Sequence, residues 1–317
     1  MIWIIEVLMR KKTIFLLLFL VLLLSAGFVA LAYIYEDKGN ISEIILPKSF
    51  ENEMADDAFE NTGEIRIMSS NLLVDYKSWG GLPAKPRAKK YIALLDAYKP
   101  DVIGVQEFCE NWFCAVNYNL PDGYKIINPL ATGMLFRMSA MIYNSDTLKL
   151  VESDSFSYEM GDPRLRRVIW AVFEDRATGK RFAVTNTHLD LLRDGQEEEL
   201  ANVMRSQRDE LLNCIDEISE RFDCPVFAVG DYNTAEDTYS TREVDIPEIY
   251  NSLAKKLIDT KFVSKNQVCG SEREWLFPSY DHIFMKGNAE INSFCLMSYD
   301  YLTDMSDHYM IFADISL

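Results

Sequence analysis

Six short polar clusters recur along the chain, each closing an apolar, β-branched run. They are Ser70-Asn71, Gln106-Glu107, Asn186-Thr187-His188-Leu189-Asp190, Gly230-Asp231-Tyr232-Asn233, Tyr280-Asp281-His282 and Ser306-Asp307-His308-Tyr309. The chain has three histidines, and all of them fall in these clusters. Carboxylates and amides suit a hard divalent cation, and imidazoles beside carboxylates suit proton transfer or contact with an anionic oxygen. Any one cluster is weak on its own. A lone Gly-Asp-x-Asn is usually a turn, a lone Asp-His surface polarity, and a lone Asn71 a helix cap or Asx-turn. Six in this order, all at strand ends, point to a single site assembled from separate strands of an α/β protein.

The elements that must position these side chains are legible from about Glu64 to Leu317. Ile65, Ile67 and Met68 begin a strand ending at Ser69-Ser70-Asn71. A Gly80-Gly81-Leu82-Pro83 loop leads to a helix with Tyr91, Leu94, Leu95 and Tyr98 on one face, stopped by Pro100. Residues 101–106 form a buried strand delivering Glu107. Residues 134–143 and 148–157 read as paired strands around Asn144-Ser145-Asp146, and 167–174 with 181–187 as a second pair. Leu200, Val203, Leu211, Ile215 and Ile218 have helical spacing over about 196–220, and 225–230 is an apolar strand feeding Asp231. Further strands end at 281–284, near 294–296 and at 308–315. Hairpins interleaved with helices imply a mixed sheet.

With Arg167-Val168-Ile169-Trp170, Thr178-Gly179 and Ala201-x-x-x-Arg205-x-Gln207 between them, the clusters resemble the endonuclease/exonuclease/phosphatase superfamily, over residues 64–317. The resemblance implies an α/β fold: a DNase I-like four-layer sandwich of two packed mixed β-sheets flanked by helices. It implies Glu107 as the main metal-ligating glutamate, Asn71 beside it and Asp307 near the cation. Mg²⁺ is the expected metal, with Mn²⁺ or Ca²⁺ as alternatives. Asp231 would prepare the attacking water, Asn233 bind a phosphate oxygen, and His308 contact the phosphoryl group with Asp281 holding its other nitrogen. His188 would be a second phosphate contact and general acid. Met310 stands where the family commonly has proline, and His282 where it has an aromatic or aliphatic residue. The inositol-phosphatase Asp-Arg signature is absent around Asp281. Tyr143 is the one candidate for the tyrosine of abasic-site enzymes.

Around this core the chain divides by composition. Residues 13–35 carry no charge, follow Arg10-Lys11-Lys12 and precede Glu36-Asp37. The run is long enough to span a bilayer, with the basic head cytoplasmic and the remainder outside. Met9 as a start and Ala30-Leu31-Ala32 as a cleavage site leave a secretory signal open beside an anchor. Export is expected either way: a membrane protein with an extracytoplasmic domain, or a secreted one. Residues 36–62 read as an acidic tether and 63–317 as the catalytic domain. Of the net charge of −17, about −13 falls on residues 63–317 by counting. Six cysteines without C-x-x-C spacing argue against a zinc knuckle, while free thiols and one or two disulfides both stay open.

The expectation is an exported, metal-dependent phosphoesterase, monomeric, whose membrane contact is the N-terminal helix. Small phosphoesters or lipid headgroups are favoured as substrates. Nucleic acid is an alternative that the acidity disfavours, although Lys85-Pro86-Arg87-Ala88-Lys89-Lys90 is a dense basic stretch. A DNase I-like nuclease, a sphingomyelinase-like diesterase and a binding module on an inactive fold are the alternatives. Arg137, Arg166 and Arg167 are candidate phosphate clamps, each equally readable as a solvated strand-end charge. Trp112, Phe113 and Tyr118 suit core packing better than a cleft wall.

Overall fold

Strand β1 (Ile65–Asn71) is buried along its whole length. A half-exposed strand would alternate, so this continuous run must be covered on both faces. It is: Ile65 and Ile67 face one core cluster and Met68 another. The computed structural model describes residues 39–57, 61, 65–77, 80–127, 138–193, 195–236, 247–269, 279–298 and 300–317. The apolar run 13–35 and Arg137 lie outside these, and among the described residues no helix is long and apolar enough to cross a membrane.

Two mixed sheets form the centre. In chain order the elements are α1 (Lys48–Asp57), β1, α2 (Ala84–Tyr98), β2 (Val102–Gln106), α3 (Glu110–Asn119), β3 (Tyr124–Ile127), β4 (Ser139–Asn144), β5 (Leu148–Ser157), β6 (Arg167–Asp175) and β7 (Arg181–His188). Then come α4 (Glu197–Phe222), β8 (Val226–Asp231), α5 (Pro247–Ala254), β9 (Ile258–Asp259), α6 (Thr260–Val263), β10 (Asn266–Cys269), β11 (Asp281–Lys286), β12 (Glu290–Leu296) and β13 (Ile311–Ser316). One sheet runs β10-β12-β13-β1-β2-β4-β3 and the other β5-β6-β7-β8-β11-β9. Each has a parallel pair at its centre, β1 with β2 and β7 with β8, flanked by antiparallel strands. One core lies between the sheets, and the outer two lie under α1–α3 and under α4 and α5. The result is the expected four-layer sandwich.

Three expectations need correction. First, β4 and β5 are not paired: β4 bonds to β2 and β3, while β5 bonds to β6 in the other sheet. The Asn144-Ser145-Asp146 turn therefore carries the chain between sheets. A short turn between two strand-like runs reads as a hairpin locally, and only the partners available on each side show otherwise. Second, the acidic segment is not a free tether over residues 41–50. Ile41, Leu46 and Phe50 are buried against α2 and α3, and Phe50 meets the Tyr301 ring edge-on at 5.4 Å. Three apolar residues scattered among acids leave no periodic signal. Third, Tyr143 packs between the sheets against Phe173, with ring centroids 5.2 Å apart, toward the end of β4 remote from Ser139.

The sheets approach each other closely at Gly104. A Cβ there would stand 2.3 Å from Val229 Cγ2 and 2.7 Å from Asn186 Oδ1, so only glycine admits the approach. Asn186 bridges the same point: it donates to the carbonyls of Val105 (3.0 Å) and Ala140 (2.7 Å) and accepts from Gln106 Nε2 (2.7 Å). This buried knot ties one sheet to the other just beneath the strand ends.

At the far end of the sandwich, Asn119 donates to the Gly39 carbonyl at 2.7 Å, and Tyr124 OH to the Pro100 carbonyl at 2.9 Å. Tyr124 is the register partner of Asn144, at the end of β4 remote from Ser139 and Gln106. Gly39 thus docks at the pole opposite the site. Among the cysteines, Cys109, Cys114, Cys214 and Cys224 are not disulfide-bonded, whereas Cys295 is, with Cys269 as its strand-register partner.

Candidate functional site

The strand register alone aligns most of the site. Asp231 at the end of β8 has His188 as its partner on β7 and Asp281 as its partner on β11. Across the sandwich, Asn71 is level with Gln106, and Glu107 follows at once. Gly230 permits the close β7–β8 approach, since a Cβ there would lie 2.2 Å from the Thr187 carbonyl oxygen. Glu107 and Asn233 both take positive φ, 56° and 50°, and Leu73 does so at 53°. Such strain in non-glycine residues concentrates where a side chain must be aimed.

Asp231 is the hub. Its Oδ2 accepts from Asn71 Nδ2 at 2.9 Å, lies 3.3 Å from His188 Nε2 and 3.8 Å from His308 Nε2. Its Oδ1 accepts from the Asn233 backbone at 2.9 Å. Burial pushes its pKa up, opposed by the charge on His308. His308 Nδ1 sits 2.6 Å from Asp281 Oδ2. Burial works against a charged His308 ring, but Asp281 and Asp231 outweigh it and raise its pKa to about 10. His188 behaves oppositely: burial, with Arg166 and His308 nearby, holds its pKa well below the usual imidazole value. The site therefore contains one imidazolium, His308, and one neutral ring, His188.

Glu107 and Asp307 line a cavity of about 510 Å³ together with His188, Arg166 and Arg193. Glu107 Oε2 accepts from the Val74 backbone at 2.8 Å, and burial followed by the charge of Asp231 raises its pKa. Among the described residues, the Glu107 carboxylate has no cationic side chain as close as His308 is to Asp281 and Asp231. Asp231, Asp281 and His308 can each bring one ligand atom to within 4.8 Å of the others, yet there the imidazolium already supplies the positive charge. The hard oxygen donors at Glu107, with Asp307 exposed beside it, fit a hard cation better.

Two expected residues sit differently from a simple ligand picture. Asn71 Oδ1 accepts from the Leu73 backbone at 3.0 Å, so its amide nitrogen, not its oxygen, points at Glu107 (3.5 Å) and Asp231. Asn233 Nδ2 donates to the Leu189 carbonyl at 3.0 Å, tying the loop after β8 to the loop after β7. Of the clamp candidates, Arg167 donates to Ser155 at 3.1 Å, away from the cavity lining, whereas Arg166 lines it.

Several residues support the site in ways that the sequence did not assign. Arg87 is buried inside the basic stretch and donates to the carbonyls of Leu72, Val74, Leu82 and Met305. It thereby fixes the loop that brings the Val74 N–H to Glu107. Trp112 is core, as expected, and its Nε1 donates to the Leu73 carbonyl at 2.9 Å. Ser306 Oγ donates to the Asn71 carbonyl at 2.7 Å, fastening the His308 loop to β1. His282, 1% exposed, bonds Asp259 Oδ2 at 3.0 Å and the Thr234 carbonyl at 3.1 Å. It holds the loop carrying Asp231 and Asn233. Asp-His spacing was the available signal for His282; Arg87 gave none, because a run of basic residues reads as solvated.

No family model matches the chain, and no curated protein matches it. Solved structures do. An endonuclease/exonuclease/phosphatase protein from Bacteroides vulgatus is 19% identical, with a TM-score of 0.64 over 80% of this chain and 98% of that one. A mannosyl-6-phosphatase of Bacteroides thetaiotaomicron is 19% identical, with a TM-score of 0.62 over 80% of this chain and all of that one. The catalytic domain of human Nocturnin, with a bound sulfate anion, is 21% identical, with a TM-score of 0.60 over 81% and 96%. The likeness is one of fold.

Proposed function

We propose that this chain, built on the fold of the endonuclease/exonuclease/phosphatase proteins, is a metal-dependent phosphoesterase. The observation that carries the reading is the convergence of an Asp281–His308 ion pair, a buried Asp231 and, through Asn71, the Glu107 carboxylate at the strand ends of both sheets. A non-catalytic module would have no need to bury two carboxylates beside a half-buried third, since each costs free energy unless it is paired.

Glu107, with Asp307 beside it, would hold Mg²⁺, with Mn²⁺ or Ca²⁺ as alternatives, and the cation supplies positive charge to a phosphoryl oxygen. Asp231 takes a proton from the attacking water as oxygen bonds to phosphorus. The phosphorus–oxygen ester bond breaks on the opposite side, and the His308 imidazolium gives its Nε2 proton to the departing oxygen. Asp281 keeps that ring oriented. Asn71 aims Asp231 through its amide nitrogen. His188, neutral, donates toward Asp231 or a phosphoryl oxygen, so His308 replaces it as the proposed general acid.

A small phosphoester is the favoured substrate. Arg87 is spent on backbone carbonyls, and Lys90 pairs with Asp304, so the basic stretch offers little to a polyanion. We further read the chain as exported and anchored by residues 13–35. The bonded Cys295 fits an oxidising compartment. Only Glu36, Asp37 and Lys38 separate the apolar run from Gly39, a reach of about 14 Å. Because Gly39 docks at the pole opposite the site, the mouth would face away from the anchoring membrane. That orientation disfavours lipid headgroups of the same bilayer.

The test is hydrolysis of 4-nitrophenyl phosphate and bis(4-nitrophenyl) phosphate by the full chain, with and without Mg²⁺ or Mn²⁺. Cation-dependent release of nitrophenol is expected. No turnover of either ester under any divalent cation would remove the enzymatic reading.

A further inference from the structure

Arg166 is 5% exposed and stands just ahead of β6. Its Nε lies 3.4 Å from Asp190 Oδ1, and among the described residues its guanidinium donates no hydrogen bond. A guanidinium carries five N–H donors, and buried donors are ordinarily satisfied. The other buried arginines obey that rule. Arg66 grips Asp314 at 2.7 and 2.9 Å and donates to the Tyr98 carbonyl at 2.8 Å, and Arg87 donates to the carbonyls around the loop after β1.

Asp190 is not placed to complete the pairing. Its backbone N–H is held by Gln207 Oε1 at 2.8 Å, and Gln207 in turn donates to the Met160 carbonyl at 3.0 Å. A Cβ on Gly161 would stand 2.9 Å from Asp190 Oδ2 and 2.7 Å from Gln207 Nε2, so the surroundings are closely fitted. Arg166 thus meets Asp190 through Nε and lines the cavity with Glu107, His188 and Asp307. A buried guanidinium lining a cavity, with its fork of donors unspent on protein acceptors, matches an anion that offers two oxygens at once.

We propose that Arg166 is the specificity-determining residue of this site and selects phosphomonoesters over diesters. This rests on the phosphoesterase reading. A monoester phosphoryl group has three non-bridging oxygens and two negative charges near neutral pH; a diester has two such oxygens and one charge. With one non-bridging oxygen committed to the Glu107 side, only the monoester keeps two for the Arg166 fork. Arg193, on the same cavity wall, adds a second positive charge.

The experiment uses the full chain and its Arg166→Ala and Arg166→Lys variants on the two nitrophenyl esters, which share a leaving group. Calorimetric titration with inorganic phosphate provides a readout independent of turnover. The wild type should prefer the monoester. Arg166→Ala should lower the monoester-to-diester ratio of kcat/KM by at least about thirtyfold and weaken phosphate binding at least about tenfold. Arg166→Lys, which keeps the charge but not the fork, should recover only part of both. Equal losses on both esters, unchanged phosphate affinity, or a wild type that prefers the diester would overturn the assignment. Absence of all turnover would sink the phosphoesterase reading instead, and the phosphate titration would still decide on Arg166. Thermal unfolding checks that each variant is folded, and Arg166→Lys serves if the alanine variant is not.

Discussion

Asp281 and Asp231 are register partners on neighbouring antiparallel strands, and the His308 ring stands between their carboxylates. Its Nδ1 is 2.6 Å from Asp281 Oδ2, and its Nε2 is 3.8 Å from Asp231 Oδ2. One carboxylate therefore charges and orients the ring, and the ring in turn limits how far burial can protonate the other.

This relationship sets a pH profile. The His308 pKa is raised to about 10 against the opposing effect of burial, chiefly by Asp281 and Asp231. The ring can give a proton below that pH and loses it above. Asp281→Asn removes the first of those two carboxylate charges, so the alkaline limb of kcat/KM should move to lower pH and kcat should fall about ten- to a hundredfold. A limb that stays in place would show that His308 is not the proton donor.

Glu107 should carry the cation. Mg²⁺ or Mn²⁺ should raise the thermal midpoint of the wild type, because a ligand bound only by the folded state stabilises it. Glu107→Gln should abolish that shift and lower turnover at least about a hundredfold. An undiminished shift in the variant would place the metal elsewhere, for instance on Asp231 and Asp281.

His282 and Asp259 form a buried pair that should make stability depend on pH. Burial opposes a charged His282, but Asp259 and Glu236 outweigh it and raise the pKa above its ordinary value. A raised folded pKa gives stabilisation that is complete below about 6.5 and is lost as pH rises through the folded value. Asp259→Ala should cost about 3–5 kcal/mol near pH 6, and the gap to wild type should narrow toward alkaline pH. Denaturant midpoints at several pH values measure it; a gap constant with pH would contradict a charged His282.

Gly104→Ala should destabilise by at least about 1–3 kcal/mol, since the new methyl has to displace Val229 or Asn186 where the sheets meet. Activity should fall as well, because the Asn186 knot lies under both strand ends. A neutral effect on the thermal midpoint would mean that the sheets can separate without penalty.

If residues 13–35 anchor the chain, a soluble ester should be turned over equally well by the anchored protein and by protein released from the membrane. A phosphorylated headgroup in the anchoring bilayer should remain uncut. Efficient cleavage of that headgroup would show that the mouth reaches the surface, contrary to the docking of Gly39 beside Asn119.

Most strands and the polar clusters that close them could be read from residue order alone, while the two-sheet sandwich was what the family resemblance implied. Strands buried on both faces are runs of adjacent apolar residues, and a polar cluster closing such a run marks a strand end; both signals are local. Asn71, Glu107, His188, Asp231, Asp281, Asp307 and His308 were identifiable for that reason. Other features were decided only by tertiary structure, because they depend on partners far apart in the chain. Whether β4 pairs with β5 depends on which sheet has a free edge. Whether Arg87 binds nucleic acid or backbone carbonyls depends on what the loop after β1 packs against. Residues 41–50 dock because α2 and α3 leave an apolar groove that no feature of the segment announces. Likewise a histidine's charge is absent from its type: His188, His282 and His308 differ through burial and neighbouring carboxylates, which exist only once the strands are aligned.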